Sequence, residues 1–401
     1  MRSIGMPKKN IVFMLNEYNG HGGAQRVASI LADEFIQDGH SVAILSINEQ
    51  PNEPSYFSSD IPVHVVHQNG YRATLPKAIS TNLKALRFKT VNAELKRRRQ
   101  LVKRRKEVEA FFDAYGNEEV FVIAVQVWGM QWIEPLMYRP NIKIIGQSHE
   151  SYLASKDSHR YKRILKYYRQ VAKFLLLTQK DAAHFESQGF SNAAVMYNPT
   201  PFRKQIEPQE LYSHKTIVST GRLVDGKAFD VLIEAFAHAS KELPDWKLHI
   251  YGDGPEKKSL QTLIKILGME DRISLKGQTK DIQGALSASS FFVLSSKAEG
   301  LPMSLIEAQS CGLPCISTDC APGIREIVSD YNNGYVTPVD DVPLLSRQIK
   351  RLAQDQETFL KFSEHSFESS ARFDKEYIKS QWYDLFEELG GQKNEQQHHE
   401  A

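Results

Sequence analysis

Short apolar runs alternate with amphipathic helical segments along most of the chain, and this alternation limits its possible folds more than any other feature. The run NIVFML (10–15) leads into the turn-rich NEYNGHGGA, after which Val27, Ile30, Leu31 and Phe35 recur at helical spacing. Further strand candidates lie at 41–47, 61–66, 120–125, 142–145, 174–177 and 194–196. A polar, proline-bearing stretch, NPTPFRKQIEPQELYSHK, then interrupts the pattern. A second series opens at Thr216 and continues through 247–251, 273–275, 291–294 and 315–317. Strand and helix in alternation build a mostly parallel sheet covered on both faces, so the expected class is α/β with two doubly wound halves. Such sheets bind ligands at the carboxyl ends of their strands, and two of these edges facing each other form a cleft. The expected divisions are 1–205, with a basic helical insertion at 75–115, then 206–375, a closing amphipathic helix at 376–390 and a disordered tail at 391–401.

Composition narrows the setting. No stretch approaches the roughly 18 apolar residues of a membrane span, and residues 1–10 lack the apolar block of a secretory signal. A soluble chain in the cytoplasm, or at the inner face of the cell membrane, is therefore expected. Cys311, Cys315 and Cys320 are the only cysteines, an odd number with no fourth metal ligand at a familiar spacing. They read as buried structural thiols, with no metal site.

Charge is unevenly distributed. Residues 84–106 hold eleven Lys or Arg against the single acid Glu94, so the remainder of a chain of net charge +2 is acidic. Such a block reads either as a contact for an anionic surface or polymer, or as a solvated helical hairpin. Nucleic acid is disfavoured, because the block lacks interleaved aromatic residues and an RNA-binding motif.

The stretch AEGLPMSLIEAQSCGLP (298–314) carries the most chemistry. Its reading is an apolar strand, a loop holding Glu299, a helix with Pro302 in its first turn and Glu307 farther in, and a stop at Gly312. Unpaired amides at Leu301, Met303 and Ser304 favour an anion or an oxygen-rich ligand, and carboxylates beside them accept hydroxyl groups. A nucleotide sugar offers both. Spacing alone equally allows Glu299 to be a surface residue and Glu307 an ordinary helix glutamate.

EGLPMSLIEAQSCGLPCIST resembles the E-x(7)-E signature of the retaining glycosyltransferases of family 4, whose two-Rossmann-domain architecture is called GT-B. STGRLVDGKAFDVLIEAF is similar to that family's donor-phosphate segment, and LHIYGDGPEKKSL to the strand and turn after it. ISLKGQTKDI is similar to its nucleotide-side loop, and NGHGGAQRVASILADEF to its glycine loop and first helix. The resemblance implies that Arg222 and Lys227 neutralise a diphosphate, that Glu307 holds ribose hydroxyls, and that Glu299 with the amides of 301–304 holds the transferred sugar. It also implies that Gly22, Gly23 and Gly277 line the donor site and that His149 lies beside the donor sugar. Gln25 and Arg26 are candidates for the acceptor or the phosphate. No metal or other cofactor is required on this reading.

The expected activity is retaining transfer of a hexose or N-acetylhexosamine, from a UDP-sugar or another nucleotide sugar, to a cell-envelope glycan. The acceptor would be lipid-linked or a polyanionic polymer. A catalytically inactive nucleotide-sugar-binding partner subunit stays open as the alternative.

Overall fold

A computed structural model of the chain describes residues 7–20, 22–67 and 88–391. The first sheet has seven strands: Asn10–Glu17 (β1), Ser41–Asn48 (β2), Val63–His67 (β3), Val120–Ala124 (β4), Ile142–Ser148 (β5), Lys173–Leu176 (β6) and Ala193–Val195 (β7). The second has six: Thr216–Thr220 (β8), Lys247–Tyr251 (β9), Ile273–Gly277 (β10), Phe291–Leu294 (β11), Cys315–Thr318 (β12) and Gly334–Thr337 (β13). Their orders are β3-β2-β1-β4-β5-β6-β7 and β10-β9-β8-β11-β12-β13, parallel throughout.

Helices cover both faces of each sheet, so residues such as Ile11–Leu15 and Phe291–Val293 are fully buried on either side of the strand. Each sheet reverses its order once, between β1 and β4 and between β8 and β11. A crevice opens at such a reversal, because the connections on its two sides leave in opposite directions.

The helix Lys375–Gly391 follows the second sheet in sequence but packs on the first. Its Trp382 and Phe386 meet Phe35 of the helix Gly23–Gln37 at 6.2 and 5.6 Å, and Phe386 lies 4.6 Å from Phe121 of β4. A polar collar surrounds this apolar contact. Glu34 accepts hydrogen bonds from Lys375 (2.7 Å) and Lys379 (2.9 Å), while Asp38 accepts one from the Tyr383 hydroxyl (2.6 Å). Burial raises the Glu34 carboxyl, but its lysine partners outweigh burial and hold it below its ordinary value. Asp38 is depressed in the same way, with Tyr383 and Lys379 outweighing burial.

Both folded values lie below the unfolded ones, so this contribution is fully present above the ordinary carboxylate range and is lost as pH falls through the folded values. Acid titration followed by tryptophan fluorescence should therefore show the closing helix weakening below about pH 4. Glu34→Gln should be less stable at neutral pH and show a shallower acid slope; equal slopes would remove Glu34 from the explanation.

Two local expectations need correction. The basic region is not a helical hairpin where it is described: Phe88–Asp113 is one continuous helix, and residues 75–87 lie outside the described residues. Val91, Val108 and Phe112 are buried, whereas Leu95 and Val102 are exposed at 41% and 57%. At 100° per residue, 91, 95 and 102 form a stripe about a quarter turn from the stripe of 101, 105, 108 and 112, and the fold buries chiefly the second. Arg105 turns inward to the Gln131 carbonyl (2.8 Å) and Glu134 (2.7 Å), leaving Lys96, Arg99, Lys103 and Lys106 exposed. The strand expected from 61 begins at Val63, because Pro62 can only accept from the neighbouring strand, taking the Ile44 amide at 2.9 Å. The expected tail lies outside the described residues from 392 onward, and no helix among the described residues is long and apolar enough to cross a membrane.

Candidate active site

The loops at the two reversals meet between the sheets. On the second sheet, β8 ends at Thr220 and the chain turns through Gly221 and Arg222. The Gly221 and Leu223 amides donate to Tyr251 O (3.0 Å) and Asp253 O (2.9 Å), fastening this loop to the one after β9. The fit demands glycine: a Cβ on Gly252, which has φ +141°, would strike the Gly221 carbonyl, and one on Gly254 would strike that of Leu223. Arg222 is left exposed; its carbonyl accepts from the Val224 amide at 2.8 Å, while its guanidinium has no hydrogen bond or ion pair among the described residues.

A short turn, Asp225–Lys227, follows, and Ala228 enters the next helix in the left-handed region at φ 46°. The loop after β11 stitches that turn in place, with the Ser295 hydroxyl donating to Lys227 O (2.9 Å) and the Lys297 amide to Gly226 O (2.9 Å). The Lys227 ammonium reaches Glu299 Oε1, which also accepts from the Ser296 hydroxyl at 2.7 Å. Gly277 ends β10 on the same edge, its carbonyl accepting from the Gly252 amide at 2.8 Å.

The helix of the E-x(7)-E stretch is Met303–Gln309, with Pro302 as its N-cap residue at ψ 110°, one position earlier than expected. Proline fixes φ but leaves ψ free to be extended, so it can precede a helix as well as begin one. Gly312 closes the helix at φ +80°, and the Leu313 amide returns to Ala308 O at 3.1 Å. Leu301 is buried at 5% exposure, so its side chain belongs to the core and only its backbone can serve a ligand. Met303 packs against the cores of both halves, and Ser304 is half-buried beside it.

Glu307 is 3% exposed. Burial pushes its carboxyl up, opposed by the charge of Arg26 across the interface, whose Nη1 stands 2.8 Å from Oε1. The two form an ion pair by distance, but no N–H of the guanidinium is aligned on that oxygen as a hydrogen bond.

From the first sheet, β1 leads to the glycine loop, of which His21 lies outside the described residues. Gly22 has no room for a Cβ because the Gln25 amide occupies the space, whereas Gly23 faces open space. Gln25 is itself buried, its Nε2 donating to the Glu17 carbonyl at 3.3 Å, so the fold employs it in holding the loop. His149 follows β5, and its carbonyl would lie 2.6 Å from a Cβ on Gly300, which brings it beside the Glu299 loop. Its Nε2 is buried without a hydrogen-bond partner among the described residues. Burial, aided by nearby Arg160, holds its pKa down at about 4, so the ring is neutral at physiological pH.

The fold therefore gathers Arg222, Lys227, Glu299, Glu307, Arg26 and His149 at one interface. Sequence reasoning missed Ser296, which orients Glu299, and Glu326, which accepts from the Gln179 amide (2.9 Å) and the Tyr197 hydroxyl (2.8 Å) and so straps the halves together. Ser296 sits in no motif that its spacing would mark, and nothing in the spacing around Glu326 assigns it this role. All three cysteines are free, with burial raising Cys311 and Cys320 to about 11, and no cluster of His, Cys, Asp or Glu suited to a metal occurs among the described residues.

Comparison with known proteins agrees with this architecture. Over 378 residues the chain is 28% identical to an uncharacterized glycosyltransferase of Haemophilus influenzae, covering 93% of this chain and 99% of that one. It is 25% identical to the amylovoran biosynthesis glycosyltransferase AmsD of Erwinia amylovora over 94% of this chain and 99% of that one. Among solved structures, the pneumococcal O-GlcNAc transferase GtfA in complex with UDP and GlcNAc superposes with a TM-score of 0.74 at 15% identity, covering 95% of this chain and 99% of that one. Anabaena Alr3699/HepE in complex with UDP gives 0.72 at 17% identity, covering 94% and 100%. Residues 202–369 match the family model described as glycosyl transferases group 1. The chain thus has the GT-B fold, and the segment similar to the group 1 glycosyl transferases lies in its second half.

Proposed function

We propose that this protein is a retaining, metal-independent glycosyltransferase that moves a hexose or N-acetylhexosamine from a nucleotide sugar, a UDP-sugar first among them, to a cell-envelope glycan. The observation that carries the reading is the charge arrangement at the β8/β11 reversal: the exposed guanidinium of Arg222, without a partner among the described residues, with Lys227 and Glu299 joined close by. Two cations at the carboxyl end of these strands suit a diphosphate, whose charge grows as the glycosyl bond breaks.

In this reading the bond between the anomeric carbon and the β-phosphate oxygen breaks first. An acceptor hydroxyl forms the new bond on the same face of the sugar, and its proton passes to the departing phosphate. Glu299 and neutral His149 orient sugar hydroxyls, and Glu307 holds the ribose. The acceptor is a lipid-linked glycan or an anionic polymer. Exposed Lys96, Arg99, Lys103 and Lys106 support the anionic partner, each adding about 1 kcal/mol near a charged surface. Sedimentation with anionic vesicles at low salt separates membrane from polymer.

The test of the activity is incubation with UDP-glucose, UDP-N-acetylglucosamine, UDP-N-acetylgalactosamine and GDP-sugars, reading slow donor hydrolysis and the thermal shift on binding. One donor should raise the melting temperature and be hydrolysed. A protein that binds UDP but releases no sugar from any donor is the inactive partner subunit, and one that binds no nucleotide overturns the reading altogether.

A further inference from the structure

Arg26, a candidate for the acceptor or the phosphate, meets a carboxylate of the other half in the fold. It stands in the first turn of the helix Gly23–Gln37, its amide bonded to Gly22 O at 3.1 Å, and its guanidinium crosses to Glu307 of the other half. Glu307 needs such a partner. It lies among fully buried Leu305, Ile306 and Ala308, where an ionised carboxylate has lost its hydration.

The other ionisable groups nearby do not supply the charge. Cys311, one turn on, and Cys315 of β12 are both held as thiols by burial. The packed helix Gln356–Ser369 buries only phenyl and hydroxyl side chains. Arg372 of the turn after it is spent on the Glu326 carbonyl and the Tyr197 ring. Lys204 donates its backbone amide to Ser310 O, and its charge acts on Cys311.

We propose that Arg26 is a positioning residue for the donor: from the opposite half it keeps the Glu307 carboxylate charged with one oxygen engaged, presenting the other to the vicinal hydroxyls of the nucleotide's ribose. This rests on the ribose reading of Glu307 given above. It makes donor affinity depend on an arginine that never touches the donor, and it ties that affinity to contact between the halves.

Titration calorimetry of UDP and GDP into the full chain from about pH 5.5 to 9 tests it, comparing wild type with Arg26→Met and Arg26→Lys, each first checked for an intact thermal transition. Without the guanidinium the carboxyl is raised further, so it is protonated over a range where the wild type is ionised, and affinity falls as pH falls. The ratio of variant to wild-type Kd should grow by up to about tenfold per pH unit on the acidic side and shrink toward pH 9, with Arg26→Lys following the wild type. Because the nucleotide's own phosphate titrates equally in all three, the ratio isolates the protein. A ratio constant across pH, in a protein whose binding is lost in Glu307→Gln, overturns the role of Arg26 alone. Binding indifferent to Glu307→Gln, or absent in the wild type, overturns the ribose reading and this inference with it.

Discussion

Replacing Lys227 with alanine should slow kcat by about a hundred- to a thousandfold, the range seen when one preorganised group facing a developing charge is removed. Lys227 stands on the turn after β8, its stem packed against Gly221 and its ammonium on Glu299. In the proposed reaction a donor diphosphate draws the ammonium toward itself, and Glu299, still held by Ser296, is left to accept from the sugar. The alanine variant therefore loses a fixed positive charge and also leaves a carboxylate uncompensated next to an anionic leaving group. Both effects act in the same direction. Completing the cycle with Glu299→Gln alone and with the double variant separates them: the coupling between the two sites measures the repulsion, and the loss on Lys227→Ala in the Glu299→Gln background measures the lost cation. Steady-state kinetics on the donor found by screening provides the numbers, and a wild-type kcat in Lys227→Ala would remove the cation from the mechanism.

The second large effect concerns stability. Trp382 is fully buried, edge-on to Phe35 and 5.7 Å from Phe386, and it seats the closing helix on the first half. Trp382→Ala should cost about 3–5 kcal/mol, because the cavity opens in a packed aromatic cluster that the polar collar keeps from collapsing. Trp382→Phe should cost much less. The indole Nε1 is buried without a hydrogen-bond partner among the described residues, so phenylalanine removes an unsatisfied donor as well as some volume. Chemical denaturation resolves the two variants, and equal losses would mean that the apolar seat is not what holds the helix.

Most strands were legible because a strand covered on both faces reads as an unbroken apolar run, as 10–15, 120–125 and 291–294 do. β13 was not among the expected strands: GYVT is four residues long, opens on glycine and sits inside a turn-rich segment. The basic helix was legible as helical, but which of its faces is buried was not. Two apolar stripes compete there, and only the tertiary neighbours choose between them. In the site, Arg222, Lys227, Glu299 and Glu307 could be named from motif context, whereas Ser296 and Glu326 act through geometry alone.

Read by itself, the sequence determined the two mostly parallel sheets and the residue types delivered to their carboxyl edges, because periodicity and glycine placement are local properties with local causes, whereas the strand order and its reversals belong to the tertiary structure. Which charges meet was decided only by the tertiary structure. Lys227 and Glu299 are 72 positions apart, and Arg26 reaches Glu307 from the opposite half. Coulomb interaction and desolvation depend on distance through space and on what surrounds the pair, and neither quantity is written along the chain.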